Sequence, residues 1–174
     1  MAKIYIGLSK PKKWKAFAQL IMLGYGIPYS HVYIKFRSTK YDRDMIYQAS
    51  HSMVNFIGST MFFEENIAIE EFEVELSDEK FNEMICFAID NAGKPYGVKQ
   101  ALGMAIVRIA EVFGKYIENP FRDGGNTYVC SELGAYVLEN FAGGVIPKDI
   151  DDITPKDLYD YLTKIKASLN DKTV

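Results

Sequence analysis

Apolar and polar residues alternate along five short stretches in the first half of the chain, a pattern typical of β-strands. The stretches are KIYIGL, SHVYIKF, DMIYQAS, SMVNFIG and AIEEFEVEL. In SHVYIKF, His31 shares a face with Tyr33 and Lys35, whereas Val32 and Ile34 lie on the opposite face. We therefore predict a small antiparallel sheet in which His31 lies at an edge or in a cleft, outside the core.

Helical spacing of apolar residues appears first after the opening strand. Ser9 and Pro11 predict a helix start, and the apolar positions after it recur until the GYGIP stretch, which ends the helix. The polar face of this helix is rich in lysine. Such a helix either docks on the core or makes a peripheral membrane contact through residues 10–25.

Three further helices follow in the second half of the chain. Ser77 starts one that stops at Gly93, and Cys86 lies within its apolar pattern, so we expect a packed, inert thiol there. Residues 98–118 are apolar on two sides, which favours core packing, although one side could serve a partner or an acyl chain. Thr154 as N-cap and Pro155 at the first position predict the closing helix.

The composition is that of one folded domain spanning residues 1–174, with 48% apolar and 25% charged residues. The predicted fold class is α+β, with helices packed around a small antiparallel sheet. The net charge of −3 disfavours nucleic acid as a partner. No acidic residue precedes Asp42, so the basic start either meets an anionic surface or is an ordinary solvated face.

The two cysteines do not suggest a disulfide-stapled secreted protein. We expect free thiols in a reducing compartment, either cytoplasmic or inside a host cell. No apolar run has the length of a transmembrane helix, and no signal peptide is recognised.

Cys130 lies in the stretch NTYVCSELGAYVL, between a strand-like lead-in and a helical pattern. It is either a small buried apolar residue or a nucleophile. At a helix N-terminus, unpaired N–H groups and the helix dipole would lower the thiol pKa towards neutrality. Of the two histidines, His31 begins a strand, and His51 falls in a turn-like stretch that we expect to face solvent. A Cys130–His31 dyad is therefore a candidate site.

Two motifs resemble those of the NlpC/P60 cysteine hydrolases: GKPYG at 93–97 and YVCSELGAYVL at 128–138. In most members of that family the histidine follows the cysteine, but here both histidines precede it. The order resembles that of the circularly permuted, YiiX/YebB-like group, which is papain-related. YSHVYIKF is similar to the leading strand of that group, IYQAS to the next strand, and DITPKDLYDYL to the closing helix.

The resemblance implies a permuted papain-like fold with Cys130 as nucleophile and His31 as general acid and base. It places Tyr96 near the oxyanion, where its hydroxyl could donate to the developing charge. Gln48 occupies the position at which many permuted relatives have an acidic residue that orients the histidine. An amide oxygen can still hold the imidazole tautomer, although Glu132 and Asn55 remain alternatives for this role.

These residues predict a thiol hydrolase or acyltransferase that cleaves an amide or ester through a thioester. The substrate would be a cell-wall peptide or a lipid or other acyl compound. The alternative is a binding or structural module of the same fold in which the site has lapsed, as Gln48 would suggest. We expect no cofactor and no metal, because the histidines and cysteines lack ligand spacing.

Overall fold

The computed structural model describes residues 1–50, 52–121 and 126–170, and five of its strands form one antiparallel sheet. The strands are β1 (Ala2–Pro11), β2 (His31–Ser38), β3 (Arg43–Ser50), β4 (Met53–Gly58) and β5 (Asn66–Leu76). Their order across the sheet is β4-β3-β2-β1-β5, and every neighbouring pair is antiparallel. The α+β class and the small antiparallel sheet are therefore confirmed, and β2, which begins at His31, is the central strand.

Helices connect the strands and follow them. They are α1 (Ala16–Tyr25), α2 (Ser59–Glu65), α3 (Asp78–Asn91), α4 (Val98–Val112), α5 (Cys130–Ala142) and α6 (Pro155–Asn170), with a 3-10 turn at Ile150–Asp152. The predicted N-caps are confirmed, since Ser77 Oγ accepts from Lys80 N at 3.1 Å and Thr154 Oγ1 accepts from Asp157 N at 3.1 Å. Within the described residues, none of these helices is long and apolar enough to cross a bilayer.

The first helix begins later than the sequence predicts. Strand β1 continues through Pro11, which pairs with Asn66 of β5, and Lys12 N donates to Glu65 O at 2.8 Å. Ser9 and Pro11 therefore belong to the strand, and the prediction that they start the helix is wrong. Helix α1 starts only at Ala16, and its N-cap residue, Lys15, makes no side-chain cap.

Helix α4 is shorter than predicted and packs through only one of its apolar sides. Gly114, with a φ of 70°, follows its end and interrupts the apolar pattern. Met104 and Val107 are buried, whereas Leu102 and Ile106 are exposed. The expectation that this second side packs in the core is therefore wrong for its described side chains, Leu102 and Ile106.

Cys86 is also exposed, contrary to the expectation of a packed thiol. The buried stripe of α3 contains Met84 and Ala88, which are one helical turn apart. Cys86 is two residues from each of them, so it points to the opposite side of the helix.

One face of the sheet carries the main core, to which α5 contributes its buried side. Gly134 of α5 allows a close approach: a Cβ there would lie 2.9 Å from Leu158 Cδ2 and 3.0 Å from Val32 Cγ1. The helix is therefore seated directly on β2. This contact brings the N-terminus of α5, where Cys130 lies, to the start of the strand that carries His31.

The opposite face has a smaller buried cluster of Tyr33, Ile46 and Phe62, the last from α2, a helix that the sequence did not predict. Gly7 of β1 lies opposite Tyr33 in the β1–β2 pair. A Cβ at Gly7 would come within 2.1 Å of the Tyr33 ring. The ring thus covers the glycine, and its hydroxyl donates to Glu71 at 2.7 Å.

We expect Gly7→Ala to lower the free energy of unfolding by about 1–3 kcal/mol, because the added methyl group must displace a buried, hydrogen-bonded ring. Urea unfolding followed by circular dichroism measures the change. Gly58→Ala is the matched control, because a Cβ at Gly58 meets no atom within 4 Å. Equal stability of the two variants would contradict the close packing of Tyr33 on β1.

Candidate active site

Cys130 is the first residue of α5 and is almost fully buried, with 3% of its surface exposed. The backbone N–H groups of Val32, Ser131 and Cys130 itself lie next to its sulfur and favour the charged thiolate. Two of these groups belong to the unpaired N–H set of a helix N-terminus, and the third comes from β2. The sulfur is therefore held between the start of α5 and the residue that follows His31.

Burial raises the pKa of the Cys130 thiol to about 11, and the nearby Glu132 carboxylate also raises it. The three backbone N–H groups act in the opposite direction and lower it. The sequence predicts a pKa lowered towards neutrality by the helix N-terminus. These N–H groups act as expected, but desolvation outweighs them. The resting side chain is therefore a protonated thiol at neutral pH.

Glu132, one alternative for the residue that orients His31, serves as the cap of α5. Its Oε2 accepts from Val129 N at 2.9 Å, which satisfies a backbone donor just before the helix. The carboxylate is buried, with 2% of its surface exposed. It therefore stabilises the turn that presents Cys130.

His31 is hydrogen-bonded to Gln48 of β3, with 2.8 Å between His31 Nε2 and Gln48 Oε1. Gln48 is buried, and its Nε2 donates to Asn55 Oδ1 of β4 at 3.2 Å. Asn55 is the direct cross-strand partner of Gln48 in the β3–β4 pair. The structure therefore brings Gln48 to the imidazole, and Asn55 supports Gln48 from behind.

A backbone carbonyl fixes the direction of this hydrogen-bond chain. Asn55 Nδ2 donates to Met53 O at 3.2 Å, and a carbonyl oxygen can only accept. Asn55 must therefore present its oxygen to Gln48, and Gln48 must present its oxygen to His31. The neutral imidazole then carries its proton on Nε2 and its lone pair on Nδ1.

Tyr96 lies in a segment that is attached on both sides by backbone hydrogen bonds. On one side Tyr96 N donates to Ser52 O at 2.9 Å, next to β4. On the other side Gly97 N donates to Tyr128 O at 3.0 Å, two residues before Cys130. The GKPYG motif thus connects the start of β4 to the lead-in of α5, which explains why Tyr96 is close to the cysteine.

The Tyr96 side chain is hydrogen-bonded to the Cys130 sulfur. Burial raises the pKa of Tyr96 well above its usual value, and the neighbouring Cys130 and Glu132 raise it further. The phenol therefore keeps its proton and acts as a donor beside the sulfur.

Two cavities flank these residues. The larger, of about 750 Å³, is lined by His31, Gln48 and Asn55 and by apolar side chains that include Phe56 and Phe62. The smaller, of about 330 Å³, is lined by Cys130 and by Leu20, Tyr25 and Met104. Phe17, Ile21 and Tyr96 line both cavities. The candidate site therefore lies beside a mostly apolar space that is bordered by α1.

The predicted site residues thus form two pairs, Tyr96 with Cys130 and Gln48 with His31. The link between the pairs is the Val32 N–H next to the sulfur, since the Cys130 and His31 side chains line different cavities. His51 lies outside the described residues. The sequence did not identify Val32 N–H and Met53 C=O, because backbone groups leave no signature in residue type. Among the described residues, no group of three His, Cys, Asp or Glu side chains could hold a metal ion.

No protein-family model matches this chain, and no curated protein matches it.

We expect alkylation of Cys130 by iodoacetamide to rise about tenfold per pH unit between pH 6 and 9, without a plateau, because only the thiolate reacts. Mass spectrometry assigns the adducts, and the exposed Cys86 in the same molecule reports on reagent activity. Rapid modification of Cys130 already at pH 5 to 6 would contradict a protonated resting thiol and indicate a thiolate–imidazolium pair.

Proposed function

We propose that this chain is a cysteine hydrolase or acyltransferase that cleaves an ester or amide through a covalent thioester. One observation carries the proposal: the Cys130 thiol sits at a helix N-terminus, bound to Tyr96 and to the strand that begins with His31. A nucleophile needs a base and a group that stabilises the oxyanion, and we assign these roles to His31 and Tyr96.

In the first step His31 acts as general base. Because the resting thiol is protonated, its proton passes to His31 Nδ1 as the sulfur attacks the carbonyl carbon. The sulfur forms the new bond to carbon, and the electrons of the carbonyl π bond move to its oxygen. This step differs from attack by a preformed thiolate, and it makes the rate depend on the basicity of the imidazole.

Tyr96 would stabilise the oxyanion that forms in this step. Its hydroxyl already donates towards the sulfur and retains its proton because of its raised pKa. A carbonyl that approaches the sulfur brings its oxygen within reach of the same donor. The backbone N–H groups at the start of α5 add positive potential at this point.

In the next step the oxyanion re-forms the carbonyl, the carbon–oxygen or carbon–nitrogen bond breaks, and the imidazolium of His31 gives its proton to the departing alcohol or amine. The acyl group remains on Cys130 as a thioester. Water or another acyl acceptor, deprotonated by His31, then releases it and restores the thiol.

Gln48 would fix the tautomer required by both steps. Its oxygen accepts the Nε2–H proton of His31, so Nδ1 carries the lone pair. An amide stabilises an imidazolium less than a carboxylate would, and this fits a base of modest strength.

Among the substrate classes, an acyl ester or amide has more support than a cell-wall peptide. The cavities next to the site are lined mainly by apolar side chains, among them Phe17, Phe56 and Met104. An alkyl chain gains free energy in such a space, whereas a charged stem peptide loses hydration there. A peptide substrate remains the alternative that a substrate panel would test.

We also propose that the fold is the permuted papain-like arrangement of the circularly permuted NlpC/P60 group. The order of the elements supports it: the strand that begins at His31 leads, and the helix that begins at Cys130 trails. The YSHVYIKF strand, the GKPYG segment and the closing helix lie in the sequential order of that group's motifs.

A catalytically inactive binding module of the same fold is the second candidate, and one observation favours it. Cys130 is buried and protonated at rest, as in a structural cysteine. In that case the apolar cavities would bind a ligand without cleaving it.

We expect His31→Ala to lower kcat/KM for p-nitrophenyl acyl esters by about 10²–10⁴-fold, because the thiol loses its base. Cys130→Ala should remove turnover entirely, and a burst of nitrophenol with an acyl adduct on Cys130 should appear in the wild type. Circular dichroism verifies folding of both variants. Full activity of Cys130→Ala would exclude this cysteine as the nucleophile.

We expect Tyr96→Phe to lower kcat by about 10²–10³-fold, since an oxyanion donor is lost. Tyr41→Phe is the matched control, because Tyr41 is exposed and lies outside both cavities. If both variants keep wild-type kcat, Tyr96 has a packing role and the oxyanion is stabilised by backbone groups alone.

We expect Gln48→Glu to preserve or raise activity and to shift the acidic limb of the kcat/KM profile to higher pH. A carboxylate next to His31 raises the imidazole pKa, so the base is protonated, and inactive, up to a higher pH. A pH profile of Gln48→Glu identical to that of the wild type would show that Gln48 does not orient the histidine.

We expect Asn55→Ala to lower kcat by up to about tenfold, because Gln48 loses its hydrogen-bond support. The exposed Asn140→Ala is its control.

A further inference from the structure

Helix α1 and the start of α4 present an apolar face to the outside of the molecule. Helix α1 has no charged residue between Ala16 and Tyr25, yet Leu20 and Leu23 have 64% and 80% of their surface exposed. Phe17 and Val98 are also exposed, and both line the larger cavity. Soluble proteins rarely leave a contiguous face of this kind uncovered.

The two helices are attached to each other, and Phe17 of α1 and Val98 of α4 line the same cavity. Tyr25 Oη donates to Met104 O at 3.3 Å, and Arg108 Nε lies 3.5 Å from Gly24 O. The Arg108 guanidinium also lies over the Tyr25 ring, 5.9 Å from its centroid. These contacts fix the C-terminal half of α1 against α4. We call this surface, formed by Trp14, Phe17, Leu20, Leu23, Val98 and Leu102, the α1–α4 face.

Positive charge lies at one end of the α1–α4 face. Lys12 and Lys13 are exposed immediately before α1, and no acidic residue occurs between Met1 and Tyr41. Lys15 is 3.8 Å from Glu65 of α2, so part of the local charge is compensated. Exposed lysines beside an uncharged apolar helix are typical of segments that lie in the interface of an anionic bilayer.

We propose that the α1–α4 face is a docking surface for an anionic lipid bilayer. Helix α1 lies in the headgroup region with Leu20 and Leu23 directed into the acyl chains and Lys12 and Lys13 on the lipid phosphates. A second copy of this chain is a poorer occupant, because it would cover the apolar side chains without a use for Lys12 and Lys13, whereas an anionic bilayer contacts both.

The position of the cavities gives this surface a role in the reaction. Phe17 and Ile21 of α1 line both cavities, and Leu20 lines the cavity of Cys130. A docked α1 would thus lie between the bilayer and the candidate site, where an acyl chain could pass from one to the other. That role rests on the proposed function, whereas membrane docking itself does not need the chemistry.

Trp14 provides a direct probe, because it is the only tryptophan of the chain, lies just before α1 and is 75% exposed. Its emission is recorded during titration with vesicles of phosphatidylcholine alone and of phosphatidylcholine with 30% phosphatidylglycerol. We expect a blue shift and co-sedimentation with the anionic vesicles, both reduced by 0.5 M salt because the electrostatic part is screened. Brominated lipids should quench the emission.

Variants separate the apolar contribution from the charged one. Leu20→Glu with Leu23→Glu should weaken binding to anionic vesicles by at least about tenfold. Lys12→Glu with Lys13→Glu should weaken it and remove its salt dependence. Val145→Glu is the matched control, since Val145 is 81% exposed but lies outside the face, and its binding should equal that of the wild type.

Cys130→Ala distinguishes docking from catalysis, because it should bind vesicles as the wild type does even without turnover. Failure of the folded wild type to bind anionic vesicles would overturn the proposal, whatever its activity. It would also be overturned if analytical ultracentrifugation showed a dimer that Leu20→Glu with Leu23→Glu dissociates, while vesicles have no effect. The occupant of the α1–α4 face would then be a second copy.

Discussion

The close seating of α5 on β2 is the constraint on which the candidate site depends. Gly134 leaves room for the Val32 side chain, so the N-terminus of the helix reaches the start of the strand. The pairing of β2 with β3 begins at Ile34, which leaves the first residues of β2 outside that ladder. Val32 N–H is directed to the Cys130 sulfur, and His31 next to it is oriented by Gln48. One packing contact thus determines where the thiol and the imidazole lie.

The same contact also determines the protonation state of the thiol. A helix N-terminus favours a thiolate, but the tight packing that brings α5 to the sheet also removes water from the sulfur. Desolvation is the larger effect here, and the pKa of Cys130 rises to about 11. Under the proposed mechanism, such a site requires a base that acts during the attack. The orientation of His31 would then matter, because a misplaced lone pair on the imidazole could not accept the proton.

Local sequence patterns predicted the strands and two of the helix starts, which depend on interactions between residues close in sequence. Alternation identified all five strands, and hydroxyl caps at Ser77 and Thr154 marked two helix starts. Predictions were wrong where tertiary contacts decide. Ser9 looks like a helix cap but pairs opposite His31 in the sheet, and the described side chains on the second side of α4 are exposed. In the candidate site, the order of the sequence motifs predicted the side chains. It did not predict the burial of the sulfur or its backbone neighbours, because these depend on tertiary packing.

The start of β4 supports both halves of the site. Met53 O accepts from Asn55 and so fixes the direction of the chain that ends at His31, while Ser52 O accepts from Tyr96 N. The carbonyl groups of Ser52 and Met53 therefore hold the Tyr96 backbone and set the tautomer of His31, respectively. Because these are backbone groups, substitutions of the Met53 side chain leave them in place. A displacement of this turn, in contrast, would move His31 and Tyr96 together, since both depend on adjacent carbonyl oxygens.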